Sequence, residues 1–488
     1  MINKQTSTLI FFVAFTLLLV AIHLPYVSLP YHWDELGQFV PAALDLYHDG
    51  SVVPHSTVPN IHPPAVMALL ALVWKIFGYS IVTTRLTMLL VAAEGVLFCF
   101  LLSIRLSRGN PGAPAFAAAI FLIASPLFYT QSMMVLLDMP AMTLTLAALL
   151  LFLDERWIAC AATCTLLALT KETAITTPLV FGAWLWFRDK RRREALYFLA
   201  PALALAGWLA VLHHSTGHWM GNAEFTRYNA TGTLEPFHIF SALLRRAWFL
   251  FVSDGNFLGA LALYLGWRVL KGREWSITWW VAGAQLGVVV LFGGAVLERY
   301  LLPVLPIVYI AMAAAASVYP GSWRKVSHLV MTALLVAGWF WNPPYPFPFE
   351  NNLAMVNFVR LQEEASKYLE AYAPQRRIAS AWPFTDAISH PEFGYVEKPL
   401  MAVPVSGFSL TSLASTDRGS YDILVMYTRV WPVEGNFLDV GPVRTILRRY
   451  FDYQAPATEE QLQLGLGLVR VVGWERGGQS IAVYVRGD

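Results

Sequence analysis

The adjacent carboxylates Asp34 and Glu35 stand just after the first long apolar stretch of the chain. A carboxylate in this place suits a general base, which must lie within reach of the hydroxyl that it deprotonates. The alternative is a loop carboxylate that caps a helix beginning near Leu36. Position alone leaves both interpretations open.

A lysine, Lys171, interrupts the apolar stretch 157–187 and stands beside Glu172. Such a lysine can bind a lipid-linked phosphate as a point charge. The alternative is a buried ion pair between Lys171 and Glu172, although adjacent residues of a helix do not face each other. Because a charge in an apolar segment is costly, a functional lysine is favoured.

His62 and Asp138 each stand at the predicted start of a helix. His62 precedes a double proline, and proline is favoured in the first turn of a helix. His62 is therefore a candidate ligand of a metal or a phosphate, with a helix cap as the alternative. Asp138 precedes a Met-Pro pair that opens an apolar stretch, so it is either part of a site or the N-cap of that helix.

Two arginines, Arg227 and Arg299, lie in the segments EFTRYNATG and LERYLLP. Arginine recognises phosphate through paired hydrogen bonds, which makes both residues candidate substrate ligands. Each of them can equally be an interfacial anchor or the partner of a carboxylate.

The composition places these residues in a membrane protein. The chain of 488 residues is 57% hydrophobic and only 14% charged, whereas soluble domains carry about 25% charged residues. Its mean hydropathy is +0.51. The first apolar stretch lacks a small-residue cleavage site, so we expect an anchor and not a cleaved signal. We predict about 11 spans, some of them short and therefore tilted, at 8–28, 84–104, 113–131, 139–153, 157–171, 173–187, 195–213, 256–271, 276–296, 300–318 and 326–342.

Basic residues predict the orientation, because cytoplasmic loops carry the excess of Lys and Arg. If the apolar segment 62–78 lies along the outer interface and does not cross, every basic cluster beside a span falls on one side, including RDKRRR at 188–193. The N-terminus is then cytoplasmic, and all the candidate residues fall at the outer face. Ionisable groups gathered at one membrane surface are typical of a functional site.

The composition changes after Trp341. We predict a transmembrane module over 1–342 with a first outer loop over 30–80, a proline-rich linker over 343–350 and a soluble α/β domain over 351–488. In the last, patterns predict a helix over 352–372 and strands over 377–381, 422–427, 468–474 and 480–486. The predicted fold class is mainly α, a polytopic membrane protein with a C-terminal soluble α/β domain.

In their order, these motifs resemble the PMT/ArnT-type GT-C glycosyltransferases, that is, protein O-mannosyltransferases and bacterial transferases of aminoarabinose to lipid A. The similarity covers about residues 8–340 and rests on joint order and spacing. The segments are Asp34-Glu35, His62-Pro63-Pro64 with LLALVWKIFG, Arg85-Leu86, Leu137 to Pro140, Leu169 to Lys171 with Pro178, and Arg299 to Pro303. The resemblance implies a GT-C membrane fold and inverting transfer of a sugar from a polyprenyl- or dolichyl-phosphate carrier.

The resemblance also implies roles for single residues. Asp34 matches the acidic residue that activates the acceptor, and Glu35 beside it is the second candidate catalytic residue. Lys171 matches a lysine near the donor phosphate, and Asp138 matches an acidic residue that lines the same cavity. The remaining substrate-binding candidates are His62, at a position that carries Lys or His, Arg227, a looser match to a basic residue of a later outer loop, and Arg299.

A divalent metal ion is the one cofactor that the resemblance allows. Some members bind it with an acidic residue just before the histidine position, where this chain has Ile61. Glu35 and His62 are the candidate ligands that remain.

We therefore expect an enzyme of the bacterial inner membrane, multi-pass, whose active site and C-terminal domain are periplasmic. The acceptor is a lipid, a glycan or a protein. We expect a monomer without a nucleic-acid partner. The net charge of +2 argues for no particular partner. No nucleotide site is needed, and no Gly-rich phosphate loop is present in the sequence. The alternatives are a lipid-linked glycan transporter or flippase, and a non-catalytic glycan-binding relative. Transporters often show inverted repeats, which we do not find in the sequence.

Overall fold

The chain forms two compact units. The computed structural model describes residues 4–107, 113–231, 233–292, 294–343, 347–430, 439–450 and 453–487. The first unit contains Met1–Val27 and Phe39–Phe340, and the second contains Ser28–Gln38 and Trp341–Asp488. The segment with Asp34 and Glu35 thus belongs to the same unit as the C-terminal residues. The predicted linker over 343–350 lies partly outside the described residues, at 344–346.

The first unit is helical. Its helices often begin where a proline fits the first turn, as in Pro126–Gln131 and Pro236–Phe251. Every residue of the helix Leu305–Ala315 is buried, as is every residue of the shorter helix Pro126–Gln131. The α-helices are Lys4–His23, Val40–His48, Ala65–Phe77, Ile81–Leu106, Ala113–Ala124, Pro126–Gln131, Asp138–Leu153, Trp157–Thr170, Thr176–Ala183, Arg192–Ala195, Leu199–Thr216, Ala223–Thr226, Pro236–Phe251, Asn256–Gly266, Arg273–Leu291, Leu305–Ala315 and Gly321–Ala337.

Several of these helices have the length and composition of membrane spans. Three in the described residues are long and apolar enough to cross a bilayer, namely Thr6–Tyr26, Ile81–Leu106 and Arg192–Thr216. A fourth span is formed if Pro236–Phe251 and Ser253–Val269, bent by 47°, cross together. Shorter apolar helices include Ala65–Phe77, Pro114–Ala124, Asp138–Leu153, Trp157–Thr170 and Leu305–Val318. The chain is a membrane protein, while the count of about 11 spans stays a prediction.

The second unit contains a five-stranded mixed sheet. Its strands are β1 (Arg377–Ala381), β2 (Met401–Val405), β3 (Ile423–Tyr427), β4 (Leu468–Arg476) and β5 (Gln479–Arg486), in the order β2-β1-β3-β5-β4. Strand β1 is parallel to β2 and β3, and β5 is antiparallel to β3 and β4. The α-helices of this unit are Ala354–Tyr372, Phe384–Ser389, Leu410–Ala414, Gly441–Tyr450 and Glu459–Leu466.

The four strands and the helix predicted for the C-terminal region are confirmed. The helix Ala354–Tyr372 buries Val356, Val359, Ala365 and Leu369, the apolar positions that predicted it. Strand β2 was not predicted, because its sequence MAVPV contains Pro404 and a proline argues against a strand. It lies at the edge of the sheet, where the missing N–H of proline costs no ladder hydrogen bond.

Close packing of two helices in the first unit generates a stability prediction. A Cβ at Gly266 would overlap the backbone carbonyl of Ala315, which cannot rotate away. We expect Gly266→Ala to lower the free energy of unfolding by about 1–3 kcal/mol, the usual cost of overpacking. Gly283→Ala is the matched control, since a Cβ there meets nothing within 4 Å. Thermal unfolding of both variants in detergent measures the difference, and equal midpoints would contradict the packing.

Candidate active site

A buried carboxylate, Asp138, joins two cations from distant parts of the sequence. The Lys171 ammonium donates a hydrogen bond to Oδ1 of Asp138. Nε of Arg299 lies 3.4 Å from Oδ2 of the same carboxylate. The three residues are only 3% (Asp138), 7% (Lys171) and 4% (Arg299) exposed, so these charges interact with little screening by water.

The ring of Tyr300 is the meeting point of three cations. Lys171 Nζ lies 4.3 Å from the ring centroid, and the guanidinium carbons of Arg299 and Arg246 lie 5.6 Å and 5.9 Å from it. The electron-rich face of an aromatic ring attracts cations within about 6 Å. Tyr300 thus holds positive groups together that would otherwise repel one another.

A second ion pair lies beside this cluster. Nε of Arg245 contacts the buried Glu298 carboxylate at 2.5 Å. With it, the described neighbourhood includes four cations, Lys171, Arg245, Arg246 and Arg299, and the carboxylates of Asp138 and Glu298. The Glu172 carboxylate, which also interacts with Lys171, is paired with His62. This balance of charge favours an anion such as a phosphate.

Local backbone structure explains how the cluster forms. The helix Trp157–Thr170 ends at Lys171, whose extended backbone (φ −150°, ψ 123°) breaks the helix in the middle of an apolar region. Asp138 is the first residue of the helix Asp138–Leu153. The N-cap position belongs to Leu137, and no side chain caps this end. The interpretation of Asp138 as an N-cap is therefore wrong, since its carboxylate binds Lys171 and Arg299 instead.

Two buried arginines, Arg85 and Arg246, bond backbone carbonyls near the cluster. Arg85 is fully buried and donates to the carbonyl of Met133 at 2.9 Å, in the loop that leads to Asp138. Arg246 donates to the carbonyls of Leu297, at 3.1 Å, and of Val289, at 2.8 Å. These bonds fix the backbone just before Arg299.

His62 pairs with the residue that follows Lys171. Its Nδ1 lies 2.9 Å from Oε2 of Glu172, and both side chains are mostly buried. The alternative of a buried ion pair between Lys171 and Glu172 is therefore wrong, because Lys171 binds Asp138 and Glu172 binds His62. His62 is also not a helix cap, because the next helix begins at Ala65 with Pro64 as its N-cap residue.

The loop before His62 is held by two side chains from later in the chain. The indole N–H of Trp208 donates to the carbonyl of Ile61 at 2.8 Å, and the amide of Asn222 donates to the carbonyl of Pro59, also at 2.8 Å. A Cβ at Gly221 would lie 2.5 Å from that Pro59 oxygen, so glycine permits this close approach. The loop containing His62 is thus part of the same folded region as the helix Leu199–Thr216.

Arg227 lies on the surface of the first unit. It begins the helical turn Arg227–Thr231, and its side chain is exposed. Asn229 in this turn accepts a hydrogen bond from the backbone N–H of Gly294 at 3.2 Å. The turn therefore packs against the segment that leads toward Arg299, and a role for Arg227 in substrate binding stays a prediction.

Asp34 and Glu35 belong to the second unit. Asp34 is partly exposed. Glu35 is fully buried, and its Oε2 accepts the backbone N–H of His32 at 2.8 Å. The two adjacent carboxylates thus have different environments.

A metal site was the remaining prediction. In the described part of the chain, no group of three or more His, Cys, Asp or Glu side chains is arranged to hold a metal ion. Among the described residues, His62 contacts the carboxylate of Glu172, and the Glu35 carboxylate accepts a backbone N–H. A metal ion bound by Glu35 or His62 stays a prediction.

Sequence reasoning missed Arg246 as a member of the cluster. Its signal is the Arg-Arg pair in the apolar helix PFHIFSALLRRAWFLF, because charged residues in such segments are rare and mark functional or structural sites. The contacts of Glu172 and Tyr300 had no signal of their own, since both pairings join residues far apart in the sequence.

The buried cluster generates a second prediction. Asp138→Ala leaves both Lys171 and Arg299 without their shared carboxylate, whereas Lys171→Met leaves Asp138 with Arg299. We expect Asp138→Ala to cost more stability, on the scale of about 3–5 kcal/mol for breaking a buried pair. Thermal unfolding of both variants in detergent tests this order, and a smaller loss for Asp138→Ala would contradict the shared-carboxylate arrangement.

Comparison with solved structures identifies the fold. ArnT from Cupriavidus metallidurans bound to undecaprenyl phosphate aligns with TM-score 0.58 and 14% identity, over 98% of each chain. The same protein in the apo state aligns with TM-score 0.57 and 14% identity, over 99% of this chain and 98% of that chain. The apo oligosaccharyltransferase of Archaeoglobus fulgidus aligns with TM-score 0.51 and 12% identity, over 87% of this chain and 70% of that chain.

The sequence itself matches no family model and no curated protein. At these identities the structural similarity establishes the fold and leaves the activity to be argued from the site. The fold predicted from the motifs is confirmed, and the chain has the fold of the GT-C membrane glycosyltransferases.

Proposed function

We propose that this chain is a membrane glycosyltransferase that moves a sugar from a polyprenyl-phosphate donor to an acceptor at the periplasmic face of the bacterial inner membrane. The observation that carries the proposal is the buried cluster of Lys171, Arg246 and Arg299 around Tyr300, with Asp138 as their counter-ion. A similar fold, that of ArnT, has been solved with undecaprenyl phosphate bound. The acceptor is a lipid, a glycan or a protein.

The cation cluster suits a phosphate leaving group. When the bond between the anomeric carbon and the phosphate oxygen breaks, its electron pair moves to the phosphate, which gains negative charge. Cations already held in place stabilise that charge without having to reorganise. Lys171 and Arg299 are the proposed phosphate ligands, and Asp138 keeps the two cations at a fixed separation.

The acceptor forms the new bond from the opposite face of the sugar, which inverts the anomeric configuration. Its hydroxyl or amine loses a proton as the bond forms, and we assign that proton to Asp34 as general base. His62 and Arg227 complete the proposed substrate-binding set. These assignments rest on the residue types and the family resemblance, and on the partial exposure of Asp34.

The first test of function is turnover. Purified protein in nanodiscs is incubated with a panel of polyprenyl-phosphate sugars and a membrane lipid extract, and release of free polyprenyl phosphate is followed. We expect Lys171→Ala to lower kcat/KM by about 10²–10³-fold, as for loss of one charge-stabilising donor. We expect Asp34→Asn to lower kcat by about 10²–10⁴-fold, the contribution of a general base.

Two controls make this test decisive. Lys325→Ala removes an exposed lysine on the helix Gly321–Ala337 and should leave turnover unchanged. Lys171→Arg keeps the charge and checks whether loss of activity in Lys171→Ala comes from misfolding. Movement of intact donor across the bilayer without release of polyprenyl phosphate would instead identify a transporter. Binding of donor with no turnover, unchanged by Asp34→Asn, would identify a non-catalytic relative.

A further inference from the structure

The turn that carries Asp34 is built into the second unit by its flanking residue Tyr31. The Tyr31 side chain is fully buried, and its ring contacts Phe393 edge-on with centroids 6.4 Å apart. The hydroxyl of Tyr395 donates to the carbonyl of Tyr31 at 2.7 Å, and the N–H of Tyr31 donates to the carbonyl of Phe393 at 3.4 Å. The backbone before Asp34 is therefore anchored to residues more than 350 positions away.

Trp33, next to Asp34, has a strained backbone. Its φ of 48° lies in the left-handed region, which costs a bulky residue about 1–3 kcal/mol. The conformation is maintained by aromatic packing, since the Trp33 ring lies 5.7 Å from Phe358 and 5.2 Å from Trp382, centroid to centroid. The backbone conformation of Trp33 determines the direction in which the next side chain, that of Asp34, leaves the backbone.

Glu35 closes the turn from the other side. Its carboxylate accepts the backbone N–H of His32 at 2.8 Å, while its own N–H donates to the carbonyl of His32 at 3.0 Å. The N–H of Leu36 donates to the carbonyl of Trp33 at 3.0 Å. These reciprocal bonds resemble a capping box, in which a glutamate three residues into a turn satisfies the N–H that precedes it. They require an oxygen acceptor at Glu35, which an uncharged amide can also provide.

Trp382 packs directly on the turn at Gly37. A Cβ at Gly37 would lie 2.5 Å from the indole carbon Cζ2 of Trp382, so only glycine allows the ring to lie there. The indole N–H donates to Asp386 at 3.1 Å, and the hydroxyl of Tyr427 donates to the carbonyl of Trp382 at 2.8 Å. Burial raises the pKa of the Asp386 carboxyl above its ordinary value, in spite of nearby His390 and the bond from Trp382. Trp382 is thus held in place through both its indole N–H and its backbone carbonyl.

We propose that Glu35 and Trp382 are positioning residues that fix the direction of the Asp34 carboxylate. This inference rests on the proposed function, in which Asp34 is the general base. Glu35 then acts as a hydrogen-bond acceptor within the turn. Misplacement of a reacting group by 1 Å can cost about 10²-fold in rate, so small shifts of the turn should be visible in kcat.

The test compares Glu35→Gln with Glu35→Ala in the nanodisc assay. Gln keeps an oxygen that accepts the His32 N–H, so we expect Glu35→Gln to retain kcat within about threefold. Glu35→Ala should lower kcat by about 10²-fold. Donor affinity, measured by binding of polyprenyl phosphate, should be unchanged in both variants. If both variants lose kcat to the same extent, or if donor affinity falls together with kcat, the positioning role of Glu35 is overturned.

A compensating pair of substitutions tests Trp382. Gly37→Ala places a methyl group against the indole, and we expect it to lower kcat by at least about tenfold. Trp382→Phe removes the indole atoms that this methyl group would meet, so the double variant Gly37→Ala/Trp382→Phe should regain activity relative to Gly37→Ala. Gly207→Ala, where a Cβ meets nothing within 4 Å, is the matched control. If the kcat of the double variant is no higher than that of Gly37→Ala, the positioning role of Trp382 is contradicted.

The assay separates this inference from the proposed function. If Asp34→Asn and Lys171→Ala keep full activity, the proposed function fails, whatever the Glu35 and Gly37 variants do. If Asp34→Asn is inactive while Glu35→Ala and Gly37→Ala are fully active, only the positioning inference fails. Thermal unfolding of each variant identifies loss of activity that comes from loss of fold.

Discussion

The candidate site in the helical unit depends on the buried carboxylate of Asp138. Removing charges from water is costly, and a buried cation persists only with a well-placed counter-ion. Asp138 serves two cations at once, Lys171 and Arg299, from segments 33 and 161 residues further along the chain. The helix end at Lys171 and the backbone before Arg299 must therefore be brought to one point. Such a cluster is weak evidence for stability and stronger evidence for function, because an apolar cluster of similar volume would be cheaper to bury.

Two levels of support surround this cluster. Tyr300 offers its ring face to Lys171, Arg246 and Arg299, which lowers the cost of holding like charges together. Behind it, Arg85 and Arg246 bond backbone carbonyls of the adjoining loops. Arginine suits this task because its planar guanidinium carries several donors in fixed directions. The cations are thus held in place before any ligand binds, which is the property that the proposed stabilisation of a departing phosphate requires.

In the second unit, the adjacent carboxylates Asp34 and Glu35 have different environments. Asp34 and Glu35 are adjacent in sequence, yet one is partly exposed and the other is fully buried with a backbone N–H as its partner. The strain at Trp33 is balanced by aromatic packing with Phe358 and Trp382. Strained positions often lie at functional sites, where surrounding packing maintains a geometry that the isolated chain would not adopt.

The sequence by itself determined the class of protein, the helix and four of the strands in the C-terminal region, and the candidate functional residues. These follow from composition, from periodicity and from the cost of charge in apolar segments, all of which are local properties. Tertiary structure alone decided the partners: Asp138 with Lys171 and Arg299, His62 with Glu172, and Glu35 with its own turn. It also placed Ser28–Gln38 with the C-terminal residues, which no local pattern indicated. The sequence does not distinguish one possible partner from another of the same residue type. Ion pairs and hydrogen bonds form only over a few ångströms, so the path of the folded backbone decides which side chains meet.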